Sequence, residues 1–309
     1  MRPAAGLQAP RLDAATPTGT EGTSMILITG ATGRVGGSAA RYLLSSGHPV
    51  RALLREAGAA GELRALGMAV AEGDLGQPAS ITAALAGVDG ALLVTPNGEQ
   101  QLQLEQNFIE AAAAAGVRRV VKISSLEASA EATAPIPRMH YRAECLLQAE
   151  IGDWTVLRPN FYMQNLLMYA HPIAAHGVFA LPFGSARVAP IDTRDVGEIA
   201  ARVLSADGHA QHTYALTGPA LLDFHEIARQ MSDVLGREVR YIDQPPAEFR
   251  AFLAGIVPSA WQVDAVCALF AQIADHALER VSDDAHQLLG RPPRTLAEFV
   301  RDHAAAFAG

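Results

Sequence analysis

The sequence is poor in cysteine, in basic charge and in long apolar runs, and each shortage excludes a class of protein. Its 309 residues include only two cysteines, Cys145 and Cys267, which lie too far apart for a disulfide framework and suit a reducing compartment. A formal net charge of -8 gives no basic face for nucleic acid. No apolar run approaches the length of a membrane span. We therefore expect a cytoplasmic protein whose partners are small molecules, with no nucleic acid and no membrane, and leave its oligomeric state open.

The chain divides into a short polar leader and a long globular part. Residues 1–24 are rich in Pro, Gly, Thr and Ala and lack the continuous apolar segment of a secretory signal, so we expect a disordered leader. Half of all residues are hydrophobic, which is ample for a large buried core.

Short apolar runs alternate with helical patterns beyond the leader, and this alternation is typical of a parallel sheet covered by helices on both faces. It predicts six strands, at 25–29, 49–54, 69–72, 90–94, 120–124 and 154–157. The predicted fold is α/β: a doubly wound parallel-sheet Rossmann core over 25–158. A smaller, mostly helical substrate-side region with returning strands follows over 159–309. Because right-handed crossovers bring the carboxyl ends of parallel strands to one edge, we expect ligands to bind there.

The strongest local signal is the segment "MILITGATGRVGGSAARYLLSSG", a strand that runs into Gly30, Gly33 and Gly36 and then into a helix. Small residues let the backbone approach a pyrophosphate, whose charge is stabilised by the free N–H groups at the helix start. The spacing is G-x-x-G-x-x-G, which departs from the general G-x-G-x-x-G pattern. The strand before the loop and the helix after it favour a dinucleotide-binding loop over a purely structural turn.

Two arginines bear on which dinucleotide binds. Arg55 follows the second predicted strand, and Arg34 lies in the glycine loop. A guanidinium suits the extra phosphate of NADP, whereas an acid at the strand end would bind the ribose hydroxyls of NAD. We expect NADP(H) as the preferred cofactor, with NAD(H) possible because Glu56 comes directly after Arg55.

An ordered series of segments from Met25 to the C-terminus resembles one known family. They are "TGATGRVGG", "VRALLRE", "EGDL", "VKISSLEAS", "LRPNFYMQN", "IDTRDVGEIAARVL", "YALTGP" and "LLGRPPRTLAEF". Together they resemble the NmrA-like branch of the atypical short-chain dehydrogenase/reductases. That branch contains NAD(P)H-dependent reductases and also proteins that bind the nucleotide as regulators, so the resemblance alone does not choose between the two.

The resemblance also implies roles for individual residues. The pyrophosphate would be held by Gly30, Thr32, Gly33, Arg34, Val35 and Gly36. Arg55 would meet the 2'-phosphate, and Asp74 and Leu75 would flank adenine, although Asp74 could instead be an ordinary turn or helix cap. Thr95 and Pro96 would lie near the nicotinamide ribose. Ser124 and Ser125 end the fifth predicted strand, where related reductases often place a hydroxyl that holds a substrate carbonyl.

The sequence lacks the Tyr-x-x-x-Lys pair with which many related reductases donate a proton. Tyr141 is followed four residues later by Cys145, and His140 by Glu144. His140 and Glu144 would share one helix face, so an imidazole oriented by a carboxylate is our first candidate for the proton donor, against a surface pair without chemistry. Tyr141 alone is a second candidate. Lys122, in the fifth predicted strand, could supply the missing cation.

Residues after the sixth predicted strand suggest a substrate pocket. Asn160, Phe161, Tyr162 and Asn165 combine aromatic and amide side chains, as pockets for planar apolar molecules do, although the aromatic side chains could equally pack between segments. His171 and His176 have no third ligand nearby, so we predict no metal. Asp192 and Asp195 precede an apolar-periodic helix, where capping is the default explanation.

Two functions follow as hypotheses. The first is an NAD(P)H-dependent reductase of a small, fairly apolar electrophile such as a quinone, enone, imine or carbonyl. The second is a catalytically silent NADP(H) sensor or regulator that acts through a protein partner. The predicted pocket and the missing basic patch favour the enzyme.

Overall fold

The structure is a computed structural model that describes residues 24–56, 58 and 60–308. The predicted leader therefore lies outside the described residues, apart from Ser24. The strands are β1 (Met25–Ile28), β2 (Val50–Leu54), β3 (Ala69–Glu72), β4 (Val88–Leu93), β5 (Arg119–Ile123), β6 (Asp153–Pro159), β7 (Val178–Leu181), β8 (Arg187–Val188), β9 (His212–Leu216), β10 (Leu222–Asp223) and β11 (Arg240–Asp243).

Helices connect most of these strands. They are α1 (Arg34–Ser45), α2 (Ala60–Ala65), α3 (Pro78–Ala84), α4 (Gln101–Ala114), α5 (Pro135–Glu150), α6 (Ala170–His176), α7 (Thr193–Ser205), α8 (Phe224–Leu235), α9 (Pro246–Ile256), α10 (Ala260–Ala274), α11 (Asp284–Leu289), α12 (Leu296–Asp302) and α13 (Ala304–Phe307), with a 3-10 helix at Met163–Tyr169.

The central sheet has seven strands in the order β3-β2-β1-β4-β5-β6-β9, and every adjacent pair is parallel. This confirms the predicted doubly wound Rossmann sheet and all six predicted strands. The seventh strand, β9, was not predicted; it pairs with β6 from Thr155↔His212 to Pro159↔Leu216. The strand order reverses between β1 and β4, which is where an open sheet of this kind binds its ligand.

Alternation along β1 shows how the sheet is buried on both faces. Ile26 and Ile28 pack with α1, α2, α7 and α11 on one side, whereas Leu27 packs with α3, α4 and α5 on the other. Such two-sided burial explains why the strands are almost continuously apolar. Helix α1 approaches α7 closely because Gly197 has no side chain to collide with Ser38.

The substrate-side residues form a separate apolar cluster beyond the end of β6. Phe161, Phe183 and Phe224 pack there with edge-on or tilted rings. Two small sheets, β7 with β11 and β8 with β10, frame this cluster. Asp192 caps α7 by accepting a 2.8 Å hydrogen bond from the backbone N–H of Arg194, as the capping interpretation predicts.

Candidate active site

The glycine loop joins β1 to α1 at the carboxyl edge of the sheet. Gly30 adopts a left-handed backbone conformation with φ of +63°, and a Cβ at Gly36 would collide with the carbonyl oxygen of Gly30. Helix α1 begins after Gly33, and no side chain among the described residues caps its N-terminus. The loop therefore offers unpaired N–H groups and a close backbone approach, which fit the pyrophosphate of NAD(P)H.

Arg34, Arg55 and Thr32 are exposed around this loop. Arg34 Nη1 donates a 3.1 Å hydrogen bond to the carbonyl oxygen of Gln164, so it links the glycine loop to the 3-10 helix. Arg55 and Glu56 follow β2, and both side chains are exposed. A contact of either side chain with the adenine ribose of a dinucleotide stays a prediction.

Asp74 and Leu75 follow β3. Asp74 Oδ1 accepts a 2.8 Å hydrogen bond from the N–H of Gly76, which is the local turn that the alternative interpretation predicts. The carbonyl oxygen of Leu75 accepts a 2.8 Å hydrogen bond from Asn107 Nδ2 of α4. Both residues lie at the same sheet edge as the glycine loop, so a contact with adenine stays a prediction.

A cavity of about 620 Å³ runs along this edge from the glycine loop to the start of the substrate-side region. Its polar lining includes residues from the carboxyl ends of four strands of the central sheet. The predicted site residues on its wall are Gly33, Arg34, Val35, Gly36, Thr95, Pro96, Ser124, Ser125, His140, Asn160, Phe161, Tyr162 and Asn165. Leu269, Phe270 and Ile273 of α10 form an apolar side. The volume lies in the range of small-molecule sites.

A buried polar network lies behind His140. Lys122 is fully buried, and its Nζ lies 2.8 Å from Glu105 Oε1 and 3.2 Å from His140 Nδ1. Thr95 Oγ1 also donates to Glu105 Oε1, at 2.6 Å. Gln101 Nε2 lies 3.2 Å from each ring nitrogen of His140. Lys122 does not line the cavity, whereas its neighbour His140 does.

These contacts define the state of His140. Because an ammonium group only donates, Nδ1 of His140 accepts from Lys122 and the ring proton lies on Nε2. Burial, followed by the nearby charges of Lys122 and Arg158, lowers the pKa of His140 well below its ordinary value of 6.5. The ring is therefore held in its neutral form.

Glu144 does not orient His140, contrary to our expectation. Its carboxylate accepts a 3.0 Å hydrogen bond from Nε of Arg158 on β6 and another from the hydroxyl of Ser124. The two side chains share the buried side of α5, but Glu144 has a cationic partner from a different strand. Since the Ser124 proton points to this carboxylate, Ser124 cannot donate to a substrate carbonyl in this arrangement.

Ser125 is better suited than Ser124 to hold a substrate. Its hydroxyl oxygen is buried and forms no hydrogen bond of normal geometry within the described residues, although it lies beside the carboxyl of Glu127. The side chain lines the cavity. A buried hydroxyl without a partner costs free energy that a bound ligand would recover.

Tyr141 is wrong as a catalytic candidate. It is absent from the lining of the cavity, and its hydroxyl instead faces Cys145. Helical geometry explains the difference, because one residue along α5 turns the side chain by about 100° from His140. Cys145 is exposed.

Two of the predicted substrate residues are used by the fold itself, and two others face the cavity. Asn160 is committed to the fold: its Nδ2 donates to the carbonyl oxygen of Leu278 at 3.0 Å, and its Oδ1 accepts from the N–H of Phe161 at 2.7 Å. Phe161 packs edge-on against Phe183 and Phe224, as the packing alternative predicts. Tyr162 and Asn165 retain cavity-facing side chains.

Glu127 was missed by the sequence interpretation. It lies four residues beyond the end of β5 and lines the cavity. Burial raises the pKa of its carboxyl group above the ordinary value of 4.5, although its own backbone and Ser125 act in the opposite direction. The available signal was its position in "SSLEAS", at the same sheet edge as the two serines.

The described residues were predicted to hold no metal and no membrane span, and their structure shows the following for each. Within the described part of the chain, no three His, Cys, Asp or Glu side chains converge as metal ligands would. No helix among the described residues has the length and apolar character needed to cross a membrane.

The seven-stranded parallel sheet and its glycine loop define the class: an NAD(P)-binding Rossmann protein. Residues 22–300 match the model of the NmrA-like family. The chain belongs to that family, a branch of the atypical short-chain dehydrogenase/reductases, and the predicted resemblance is confirmed.

Several relatives of this chain are reductases by name. It is 38% identical over 283 residues to the NAD(P)H azoreductase of Xenophilus azovorans, covering 92% of this chain and 99% of the relative. It is 31% identical over 281 residues to quinone oxidoreductase 2 of Escherichia coli, with coverage of 89% and 97% respectively.

Solved structures of reductases also match most of this chain. The NADPH complex of the Escherichia coli quinone oxidoreductase superposes with a TM-score of 0.82 at 31% identity, covering 91% of this chain and 100% of that one. The NADP(H) complex of Citrobacter triphenylmethane reductase gives a TM-score of 0.79 at 25% identity, with coverage of 90% and 99%. The cofactor prediction, NADP(H) with NAD(H) possible, agrees with these complexes and with the NAD(P)H azoreductase.

Proposed function

We propose that this protein reduces a small, fairly apolar electrophile, such as a quinone, enone, imine or carbonyl, with hydride from NADPH. The relatives support NAD(P)H-dependent reduction as the class of reaction. The observation that carries the proposal is the cavity, which is continuous from the glycine loop to the apolar wall of α10. A cofactor and an acceptor can therefore lie side by side. We also keep the cytoplasm as the expected compartment.

The proposed cofactor site uses the residues at the carboxyl ends of β1, β2, β3 and β4. The loop from Gly30 to Gly36, including Thr32 and Val35, holds the pyrophosphate. Arg55 meets the 2'-phosphate, and Asp74 with Leu75 flanks adenine. Thr95 and Pro96 lie beside the nicotinamide ribose, where the hydrogen bond from Thr95 to buried Glu105 fixes the end of β4. Bound here, NADPH supplies the hydride.

The proposed acceptor site faces this position. Ser125 donates a hydrogen bond to the acceptor, because its hydroxyl has no other bond of normal geometry within the described residues. Tyr162 and Asn165 border the same space, and the side chains of α10 exclude water from it. A dry site strengthens each polar contact with charge that develops on the acceptor.

His140 stabilises that developing charge as a neutral hydrogen-bond donor. Lys122 holds Nδ1, so the proton on Nε2 is fixed. The charge of Lys122 is itself paired with Glu105, so its contribution is to orient the imidazole. Lys122 is thus a positioning residue, and His140 is the group that touches the acceptor.

The alternative is a catalytically silent NADP(H) sensor that acts through a protein partner. The observation in its favour is that α5 carries no Tyr-x-x-x-Lys pair. The sensor requires NADPH binding without turnover, which separates it from the reductase by experiment.

Consumption of NADPH by the purified protein tests the proposal, with quinones, enones, imines, azo compounds and simple carbonyls as acceptors and NADPH binding followed in parallel. Turnover well above the rate without protein supports the reductase. Tight NADPH binding with no turnover on any acceptor supports the sensor.

A further inference from the structure

Two ionisable side chains of the cavity, His140 and Glu127, have pKa values that are shifted in opposite directions. Burial and the charge of Lys122 lower the pKa of His140, whereas burial raises the pKa of Glu127. Both shifts favour the uncharged form of the group. A neutral imidazole donates a hydrogen bond but gives up its proton reluctantly, whereas an uncharged carboxylic acid gives up its proton readily. Opposed shifts of this kind distinguish a group that stabilises charge, here His140, from a group that donates a proton, here Glu127.

The position of Glu127 suits an acid for the acceptor. It lies on the loop between β5 and α5, at the carboxyl edge of the sheet, and its side chain is part of the cavity wall. Partial exposure to the cavity leaves the carboxyl group accessible to a ligand. Ser125, the proposed hydrogen-bond donor to the acceptor, lies directly beside it.

The other titratable groups around Glu127 do not replace it. Tyr162, which follows β6, is half-buried and has a pKa raised far above its ordinary value, first by burial and then by the charge of Glu127. Arg34, from the glycine loop, contributes a guanidinium, which only donates hydrogen bonds. His140, from α5, is neutral. The side chains of α10 on the cavity wall are apolar.

We propose that Glu127 is the general acid that protonates the acceptor during reduction. This inference rests on the proposed reductase function. In the step, a C–H bond of the dihydronicotinamide breaks and its hydrogen moves with both electrons to the acceptor. The π bond of the acceptor opens, and its heteroatom takes the proton from the O–H of Glu127. NADPH becomes NADP+, the acceptor gains two hydrogens, and the Glu127 carboxylate regains a proton from water.

The proposal predicts different rate effects for acceptors that need a proton and for acceptors that do not. Reduction of a neutral quinone or azo compound consumes a hydride and a proton. A cationic triphenylmethane dye is neutralised by the hydride alone, because its electrophilic carbon carries the positive charge. Loss of a general acid therefore slows only the first class, whereas a disturbed fold or cofactor site slows both.

The test compares Glu127→Gln with wild type and with Glu131→Gln, an exposed carboxylate four residues along the chain. Glu127→Gln should lower kcat for the quinone or azo compound by about 10²–10⁴-fold, the usual contribution of general acid catalysis. The rate with the triphenylmethane dye and the affinity for NADPH should stay close to those of wild type, because neither requires the proton of Glu127. Glu131→Gln should match wild type with every acceptor. Equal loss for both acceptors, or no loss, overturns the proposal.

A pH profile adds a second readout. Because the protonated form of Glu127 is active, kcat/KM for the neutral acceptor should fall as pH rises through the pKa of this group. Glu127→Gln should lack that descending limb. Persistence of the same limb in the variant would assign it to another group and overturn the proposal.

An infrared titration of the protein without cofactor needs no turnover. The wild type should show a protonated-carboxyl C=O band that persists above the ordinary pKa range of glutamate and is missing from Glu127→Gln. Identical spectra of the two proteins would show that Glu127 is ionised, which overturns the proposal. Absence of turnover by wild type with every acceptor would instead contradict the reductase function itself.

Discussion

The ammonium nitrogen of Lys122 lies 3.2 Å from Nδ1 of His140, so the cation that α5 lacks comes from the neighbouring strand β5. Glu105 compensates the same charge from α4 at 2.8 Å. The arrangement keeps a buried cation behind the cavity without placing it in contact with the acceptor. Four consequences of the structure are open to measurement.

Removal of Lys122 should destabilise the fold. In Lys122→Met the carboxylate of Glu105, whose side chain is 1% exposed, loses its cation. Breaking one partner of a buried pair typically costs about 3–5 kcal/mol in the free energy of unfolding, which urea denaturation measures. The double variant Lys122→Met/Glu105→Gln should recover part of this loss because no buried charge remains unpaired. A single variant within about 1 kcal/mol of wild type, the range of an exposed pair, would contradict the buried ion pair.

The stability of the protein should depend on pH through His140. Its pKa in the folded state is lowered below 6.5, so the unfolded chain binds a proton more tightly. The associated stability is fully present above pH 6.5 and is lost as pH falls towards the folded-state pKa. The free energy of unfolding should decrease by up to about 1.4 kcal/mol per pH unit in that window.

The variant His140→Gln isolates this contribution. Its unfolding free energy should decrease less steeply between pH 6.5 and 5.5 than that of wild type. Other groups, including His209, whose pKa is also lowered first by burial, remain in both proteins and cancel in the comparison. Equal slopes for wild type and variant would show that His140 titrates normally in the folded protein.

The glycine loop should not tolerate a methyl group at Gly36. The added Cβ of Gly36→Ala would collide with the carbonyl oxygen of Gly30, so the loop must move away from the position that fits a pyrophosphate. We expect NADPH affinity to fall by more than about tenfold, or about 1.4 kcal/mol, as measured by fluorescence titration. Gly152→Ala is the matched control, since a Cβ there meets no atom within 4 Å. Unchanged affinity in Gly36→Ala would rule out this loop as the cofactor cradle.

Arg55 should determine the preference between the two dinucleotides. Loss of a charge-assisted hydrogen bond to the 2'-phosphate costs about 1.5–3 kcal/mol, so Arg55→Ala should weaken NADPH by about tenfold or more. NADH lacks that phosphate and should bind with almost unchanged affinity. Arg64→Ala, which removes another exposed arginine from the last turn of α2, serves as the control. Equal losses for both dinucleotides would refute the assignment.

Local patterns were enough to predict most of the fold. Continuous apolar runs located the six strands of the core, because burial on both faces of a parallel sheet leaves little room for polar residues. The short strand β9 was missed: His212 and Thr213 are exposed, so its apolar pattern is weak. Only its pairing with β6 identifies it as part of the sheet.

The chemistry of the site depended on contacts that sequence spacing does not reveal. Spacing of i, i+4 correctly placed His140 and Glu144 on one face of α5, but it could not show that Arg158 of β6 binds Glu144. The sequence offered Lys122 as the missing cation, but it could not show that Glu105, 17 residues earlier, is its partner. Glu127 lies in the segment "VKISSLEAS", but only the cavity shows that its side chain reaches the site.

Transfer of the hydride is the most direct test of the account. NADPH deuterated at C4 of the nicotinamide would be supplied with an acceptor from the turnover assay, and the product examined by mass spectrometry. With NADPH deuterated in the transferred position, we predict one non-exchangeable deuterium in a product that receives the hydride on carbon, as an enone, imine or carbonyl does. NADPH bound tightly by the protein, with no deuterium in any such product and no oxidation of the cofactor, would contradict the reductase and leave the nucleotide sensor.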